Sequence, residues 1–321
     1  MKVTNLNNVP LALAVWLLQD NYDYVHEEKY ISATSLMRPI RQIILPDRIP
    51  EGERQIPDVL DNVSRALGHS LHDSLERAWL DRYSKPLELL GYPDEVISRI
   101  KVNPPDEELK ADTIPIYLEQ RAIREFMGYH IGGKFDMVAE GIVQDFKSTS
   151  AFTWLYGSRD DEHALQGSIY RWLNPKKITS DFIRINYIFT DWQKASAKTN
   201  PNYPQQRVLS KDIPLLSIAE TERWIREKIQ AIEKYGSVPE INIPFCTDDE
   251  LWMSSPAYKY FADPSKVSGR STKNFDSLQE ANQFKAEKGK GVVITVPGSP
   301  KRCAYCAAFQ VCSQKDRYIH A

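Results

Sequence analysis

The sequence predicts an α/β protein, a mixed β-sheet flanked by helices and followed by a small C-terminal module. Three observations lead there. Alternating segments of strand character are interleaved with stretches of helical periodicity. No repeat or low-complexity tract interrupts the 321 residues, of which 42% are hydrophobic and 26% charged, enough for one large or two modest cores. All four cysteines, Cys246, Cys303, Cys306 and Cys312, fall in the last quarter of the chain, where the punctuation by Gly, Ser and Lys also changes.

Taken in order, the apolar run Val9 to Leu18 is too short to span a bilayer. It also lacks the basic flank and small-residue cleavage site of a signal peptide, so a cytoplasmic protein without membrane contact is expected. Residues 1–57 read as a helical and loop region that packs on a core of residues 58–240, with 241–321 as the C-terminal module. From Asp58 to Asp81, Leu60, Val63, Leu67, Leu71, Leu75 and Trp79 recur at spacings of three and four, which predicts an amphipathic helix. Asn103 to Pro115 mixes prolines with charges and reads as a loop or a short capped turn. Strands are expected at Glu125–Val138, Gly141–Lys147, Phe182–Phe189 and Gln206–Leu215, with a helix at His163–Leu173 stopped by Asn174-Pro175. Ser217 and Glu220 form a capping-box pattern opening a helix that runs to about Tyr235, with Gly236 as its stop. Beyond lie a loop from Lys266 to Lys273, a helix capped near Ser277 and a short strand at Gly291–Val296.

Net charge is −2, which excludes a globally basic nucleic-acid coat, but the charge is uneven. Ser255 to Ala321 carries 11 Lys plus Arg against 5 Asp plus Glu, a net of +6 that leaves −8 on the remainder. A polyanion would therefore find a basic C-terminal region.

The stretch GKFDMVAEGIVQDFKSTS, Gly133 to Ser150, sets charges among apolar residues. If Glu140-Gly141 is the two-residue turn of a hairpin, Asp136 stands opposite Asp145 with Cβ atoms roughly 5 Å apart. Lys147, two residues on, shares that face. Two close carboxylates repel and are costly to bury. A hard divalent cation, Mg²⁺ or Mn²⁺, relieves that conflict and can activate a water against a phosphate. The blander account is a surface strand whose charges pair with each other. On helices, His72 with Glu76, His69 with Asp73, and Gln166 with Tyr170 are i,i+4 pairs on common faces.

Cys303-x2-Cys306-x5-Cys312 brings three thiolates near one point, and Cys246 completes four if its loop folds back. Four cysteinates suit Zn²⁺ or an iron-sulfur cluster equally on ligand count. Disulfides are disfavoured in a cytosolic setting. Trp252, Tyr258 and Tyr260 nearby could stack on unpaired bases, although core filling is the commoner use of such rings.

Gly68-x-x-x-His72, Gly133-x-x-Asp136, Asp145-x-Lys147 and Gln166-x-x-x-Tyr170, in this order and at these separations, resemble the PD-(D/E)XK nucleases and within them the RecB-type branch of DNA exonucleases. The tail resembles the iron-sulfur members of that branch, which include CRISPR-associated, AddB-type and phage-encoded nucleases. The resemblance covers about Val63 to Tyr170 and Pro244 to Cys312. It implies a restriction-endonuclease-like core. It implies His72, Asp136 and Asp145 as metal ligands, with the carbonyl of Phe146 as a further one, and Lys147 as the catalytic lysine. Gln166 and Tyr170 would hold DNA near the site, Glu76 and Glu119 would support the ligands, and Lys301 and Arg302 beside Cys303 would form a basic flank for DNA. It tilts the cysteine site from Zn²⁺ toward a structural [4Fe-4S] cluster. The implied activity is exonucleolytic or end-processing hydrolysis of single- or double-stranded DNA in replication or recombination, in a host cytoplasm if phage-encoded. A helicase or recombinase partner and a homo-oligomer are family expectations. Two features depart from the family's pattern: no proline precedes Asp136, and Cys246 follows the core where the first cysteine usually precedes it. The competing readings are a non-catalytic DNA-binding or assembly subunit that keeps the fold, and a zinc-stabilised interaction module on an unrelated α/β core.

Overall fold

The computed structural model describes residues 3–20, 22–156 and 159–318, so the extreme ends of the expected N-terminal region and C-terminal module lie outside the described residues. In chain order the elements are α1 (Leu11–Leu18), β1 (Tyr30–Ser32), α2 (Ala33–Leu36), α3 (Ile40–Ile44), α4 (Val63–Asp81), α5 (Ser84–Leu89), α6 (Asp94–Arg99) and β2 (Ile100–Val102). Next come β3 (Ile114–Phe126), β4 (Tyr129–Ala139), β5 (Ile142–Thr149), α7 (Ala151–Tyr156), α8 (Asp160–Leu173), β6 (Phe182–Phe189), α9 (Lys194–Thr199), β7 (Val208–Pro214) and α10 (Ile218–Gly236). The chain closes with α11 (Asp248–Leu251), β8 (Ala257–Phe261), β9 (Lys273–Phe275), α12 (Leu278–Lys288) and β10 (Val292–Val296). Among the described residues, no helix is long and apolar enough to cross a membrane.

Two compact units form, one from residues 1–37 and 55–229, the other from residues 38–54 and 230–321. Against the divisions expected after residues 57 and 240, residues 38–54 and 230–240 group with the C-terminal residues.

The first unit is α/β, with a mixed sheet in the order β2-β3-β4-β5-β6-β7 and helices packed on it. Alternation explains its core: along β6, Ile183, Ile185, Tyr187 and Phe189 are buried while their neighbours are half-exposed. The β4–β5 hairpin turns at Glu140 (φ 52°) and Gly141 (φ 75°), both left-handed as a tight two-residue turn requires. Its register is the expected one, with Ala139 opposite Ile142 and Met137 opposite Gln144. There the ladder stops. The edge of β4 that pairs β5 over 137–139 pairs β1, in parallel, over 130–132. Meanwhile β5 turns to pair β6 in parallel along 143–149. The sheet therefore forks between β4 and β5, immediately beyond Met137 and Gln144.

Two expectations need correction. The segment Glu125–Val138 is not one strand: it crosses the turn at Met127 and Gly128, both with positive φ, that joins β3 to β4. β3, which begins at Ile114, is a full 13-residue strand where the sequence reading ended a loop at Pro115 and placed no element before Glu125. The helix expected from Asp58 starts as a 3-10 turn capped by Asp58 and continues as α4. Its apolar stripe is only partly buried, with Leu60 and Leu67 exposed, because the face that meets the sheet is the one carrying Trp79.

The second unit is built on an antiparallel sheet, β10-β8-β9, with α12 packed on it through Phe284 against Tyr260 and Phe275. Tyr260 is 1% exposed and its hydroxyl donates to the Lys290 carbonyl at 3.0 Å, so it fills core and does not present a stacking face. A separate core gathers Ile44, Leu45, Ile243 and Ala308, with Cys306 and Cys312 packed against it.

Candidate metal centre

The fork in the sheet builds the site. Continuing the hairpin register past Met137 and Gln144 sets Asp136 against Asp145. The register of β3 on β4, Leu118 opposite Met137 and Gln120 opposite Phe135, sets Glu119 against Asp136 on the other side. The β3–β4 ladder skips the Glu119 and Asp136 positions and the β4–β5 ladder ends before Asp136 and Asp145, while Asp145 stays paired with Ile185 on β6. The interruption leaves backbone groups in need of partners. The Phe146 N–H donates to Asp136 Oδ2 at 3.1 Å, bridging the fork. Around Glu119, which has φ 50°, Asn103 serves as a clamp: its Oδ1 accepts from the Leu118 N–H at 2.8 Å and from Gln120 Nε2 at 2.9 Å, and its Nδ2 donates to the Leu118 carbonyl at 3.3 Å.

His72 enters from α4. Trp79, seven residues later on the same helical face, packs with Tyr83 and Phe146 against the core of Ile100, Ile116, Leu118 and Met137, and this turns His72 toward the sheet. Its Nδ1 lies 3.4 Å from Asp136 Oδ1 and 3.7 Å from Glu119 Oε1. Hydrogen bonds to Asp136 and then Glu119 push the imidazole up to about 10 against the opposing effect of burial. His72, Glu119 and Asp136 offer ligand atoms that all lie within 4.8 Å of one another. A cavity of about 10 Å³ opens among His72, Glu76, Glu119 and Asp136 on one side and the apolar Leu75, Trp79, Leu118, Met137 and Phe146 on the other. That is about the room one water-sized particle needs.

On β5, Asp145 is 2% exposed and Lys147 Nζ stands 2.7 Å from its Oδ2. That contact is an ion pair, but no donor meets Oδ2 at hydrogen-bonding angle. Burial pushes the Asp145 carboxyl up to about 6, with Lys147 opposing and Asp136 adding to the rise. Burial works against the Lys147 charge, yet Asp145 and Asp136 outweigh it and raise the ammonium. The pair is thus a buried anion held in place by one cation.

The tyrosine of α8 comes close because β4 has no side chain at Gly133. A Cβ there would lie 3.0 Å from the Tyr170 ring and 2.8 Å from Leu173. Tyr170 is 4% exposed, its hydroxyl accepts from Gln166 Nε2 at 2.9 Å, and burial, then Asp136 and Asp145, keep its phenol neutral by raising it well above the ordinary range.

Of the sequence-derived residues, His72, Glu76, Glu119, Asp136 and Phe146 line one small cavity, while Asp145 and Lys147 pair with each other outside that lining and Gln166 pairs with Tyr170 on α8. Sequence reasoning missed Lys134, whose Nζ pairs with Glu119 Oε2 at 2.7 Å, and Asn103. Lys134 had a signal, being two residues before Asp136 and so on its face of the strand. Asn103 had none.

The donor set of His72, Glu119 and Asp136, one imidazole and two carboxylates with ligand atoms within 4.8 Å of one another, fits a hard divalent ion, and Asp145 stands outside that group. In the second unit the four cysteines are free thiols. Cys246 is raised to about 12 by burial, then by Glu250, Cys312 and Cys306, with Arg41 opposing. Cys303 is raised by burial, then by Cys306 and Cys312. The loop bearing Cys246 is folded back onto the segment of Cys312: the Gln314 side chain accepts from the Cys246 N–H and donates to its carbonyl, both at 2.8 Å. Four cysteines are by their chemistry a donor set for a soft metal, although among the described residues no three of their sulfurs lie within 4.8 Å of one another. Lys301 is exposed, whereas Arg302 is tied down, donating to the Glu250 carbonyl at 2.9 Å and lying over the Trp252 ring at 4.2 Å.

No protein-family model and no curated protein matches the chain. Among solved structures it is similar to a protein designated SSO0001, at 21% identity over 68% of this chain and 84% of that one, with a TM-score of 0.41. It is also similar to a protein named "Putative exonuclease" from Eubacterium rectale, at 13% identity over 73% of this chain and 84% of that one, with a TM-score of 0.27. Likeness at these scores carries no argument about activity, which is taken from the site itself.

Proposed function

We propose that the first unit is a metal-dependent DNA nuclease that hydrolyses phosphodiester bonds, an exonuclease or end-processing enzyme acting in replication or recombination. The observation that carries this reading is the cluster of His72, Glu119 and Asp136 beside the fork, with the buried Asp145–Lys147 pair on the adjoining strand. A purely structural sheet has no use for three adjoining carboxylates that cost energy to bury.

His72, Asp136 and Asp145 would hold Mg²⁺ or Mn²⁺, with the Phe146 carbonyl as a further ligand, and Glu119 and Glu76 would support them. A bound ion of this kind supplies a water activated at neutral pH and offsets charge on the phosphate under attack. Lys147, paired with Asp145 at 2.7 Å, would orient that water or neutralise developing charge. Gln166, half-buried and bonded to the buried Tyr170, would offer an uncharged amide toward the strand, with Tyr170 holding it in place. Exposed Lys301 provides a phosphate contact, and Arg302 acts through Trp252. For Cys246, Cys303, Cys306 and Cys312 we propose a structural [4Fe-4S] cluster, with Zn²⁺ as the alternative.

The test compares anaerobically purified wild type and Asp145→Ala on end-labelled single- and double-stranded DNA with Mg²⁺, Mn²⁺ or chelator. Degradation by the wild type only with metal, and none by the variant, supports the reading, and the product ladder gives the polarity. DNA binding without cutting by either protein replaces it with a binding subunit. Metal analysis of the same preparation separates iron from zinc.

A further inference from the structure

The most deeply buried cation among the described residues lies outside the carboxylate site. Arg41, on α3 in the second unit, is 1% exposed, and each nitrogen of its guanidinium donates. Nε donates to the Pro244 carbonyl at 3.0 Å, and Nη2 to the carbonyls of Ile243 at 2.7 Å and Glu240 at 3.3 Å. Nη1 donates to the Glu240 carboxylate and, at 3.4 Å, to the sulfur of Cys312. The guanidinium also lies over the Phe245 ring, 4.6 Å from its centre. The loop from Glu240 to Phe245 is thus wrapped on one side chain nearly 200 positions earlier in sequence, and the next residue is Cys246. The same Glu240 oxygen accepts from Ser313 N–H at 3.0 Å and Oγ at 2.9 Å. Gln314, 3% exposed, clasps the Cys246 backbone. Arg41 and Gln314 together therefore fasten the loop of Cys246 to the segment of Cys312.

Burying a guanidinium costs several kcal/mol unless it is paired and its donors are met. Glu240 and three carbonyls would meet that need by themselves. An N–H aimed at sulfur gains little from a thiol, which is a weak acceptor, and more from a sulfur that carries the negative charge of a ligating thiolate. Hydrogen bonds to ligand sulfurs and nearby charge are among the features that set the reduction potential of an iron-sulfur cluster.

Resting on the cluster reading above, we propose that Arg41 is a positioning residue of the cysteine site. It holds Cys246 in place as the fourth ligand, and through its N–H to Cys312 sulfur it favours the more negative, reduced state of a cluster bound there.

The experiment uses the full chain, purified anaerobically, as wild type, Arg41→Gln and Arg41→Lys. Iron and acid-labile sulfide are counted, and reduction is followed by electron paramagnetic resonance in a potential titration. Expected is a fall of at least tenfold in the reduced-to-oxidised ratio at fixed potential in Arg41→Gln, which for one electron is about 59 mV. A smaller fall is expected in Arg41→Lys, which restores the charge without the fork. Equal potentials in iron-replete wild type and variant overturn the proposal. If Arg41→Gln does not fold, Arg41→Lys alone decides by the same measure. A wild type loaded with zinc sinks the iron-sulfur reading without touching Arg41, whose contact is then read from zinc transfer to a chelator. At least tenfold faster release from Arg41→Lys keeps the positioning role, and equal rates end it.

Discussion

The backbone N–H of Phe146 donates to Asp136 Oδ2 at 3.1 Å, across the gap where β4 and β5 part. The other oxygen of the same carboxylate lies 3.4 Å from His72 Nδ1. Asp136 is therefore both a structural bridge and a proposed ligand, and two substitutions separate the roles. Asp136→Asn keeps an oxygen for the Phe146 N–H, so its stability in chelator should stay within about 1 kcal/mol of wild type. Asp136→Ala strands that N–H and should cost about 1–3 kcal/mol. Both should lose the stabilisation that Mn²⁺ gives the wild type, about 2.7 kcal/mol at a hundredfold excess over Kd. Thermal unfolding with Mn²⁺ and with chelator reads all three values, and an Asp136→Asn protein still stabilised by metal would remove Asp136 from the ligand set.

Glu119 sits at φ 50° in the middle of a strand, a conformation that costs a non-glycine residue roughly 1–2 kcal/mol. Asn103 sustains it by closing hydrogen bonds on both flanking residues. Asn103→Ala should destabilise by about 1–3 kcal/mol and weaken metal binding at least several-fold, although Asn103 touches no proposed ligand atom. Isothermal titration with Mn²⁺ beside urea unfolding checks this. Unchanged affinity in a destabilised Asn103→Ala would mean that Glu119 is indifferent to its backbone support.

His163 supplies the pH dependence. It is 8% exposed on α8, and its ring meets Tyr187, the residue paired with Lys147 across β5 and β6. Burial, then Lys147 and, more weakly, Arg159 lower the imidazole to about 4, against the opposing charges of Glu162 and Asp160. The unfolded chain therefore binds a proton near pH 6.5 that the folded one refuses until about 4. Stability from this group is present in full above 6.5 and is lost as pH falls between those values, by as much as about 3 kcal/mol. His163→Gln should flatten that part of the profile. Urea midpoints at pH 7.5, 6 and 5 decide it: parallel profiles for wild type and variant would rule His163 out.

The hairpin was legible in the sequence because a two-residue turn and strict alternation fix both register and face, so Asp136, Asp145 and Lys147 could be set together from numbering alone. β3 was not legible. Its charges at Glu119, Arg121, Arg124 and Glu125 break the alternation, and the preceding Asn103–Pro115 segment carries loop composition into its first residues. The turn at Met127-Gly128 has no strong turn signature, so two strands read as one. The face of α4 was misjudged at Leu67 because periodicity names a stripe without naming what covers it. Asn103, Arg41 and Gln314 act through contacts between distant segments, which no local pattern encodes.

Two glycines of the sequence motifs part company in the structure, and this gives the last prediction. At Gly133 a Cβ would press on Tyr170 and Leu173 at 3.0 and 2.8 Å, and neither neighbour is the free end of a flexible chain, since Tyr170 is buried and tied to Gln166. Gly133→Ala should cost about 1–3 kcal/mol by overpacking and should lower activity by displacing the tyrosine. Gly68, in the middle of α4, has nothing within 4 Å of its Cβ position. A helical glycine costs roughly 0.5–1 kcal/mol relative to alanine, so Gly68→Ala should stabilise the protein by about that much. If the nuclease reading holds, its activity then tells what the glycine is for. Stabilisation with full activity makes Gly68 incidental. Stabilisation with a raised KM for DNA and unchanged kcat means the missing side chain leaves room for a strand approaching His72 one turn away. A destabilised Gly68→Ala would contradict the open space found around that position.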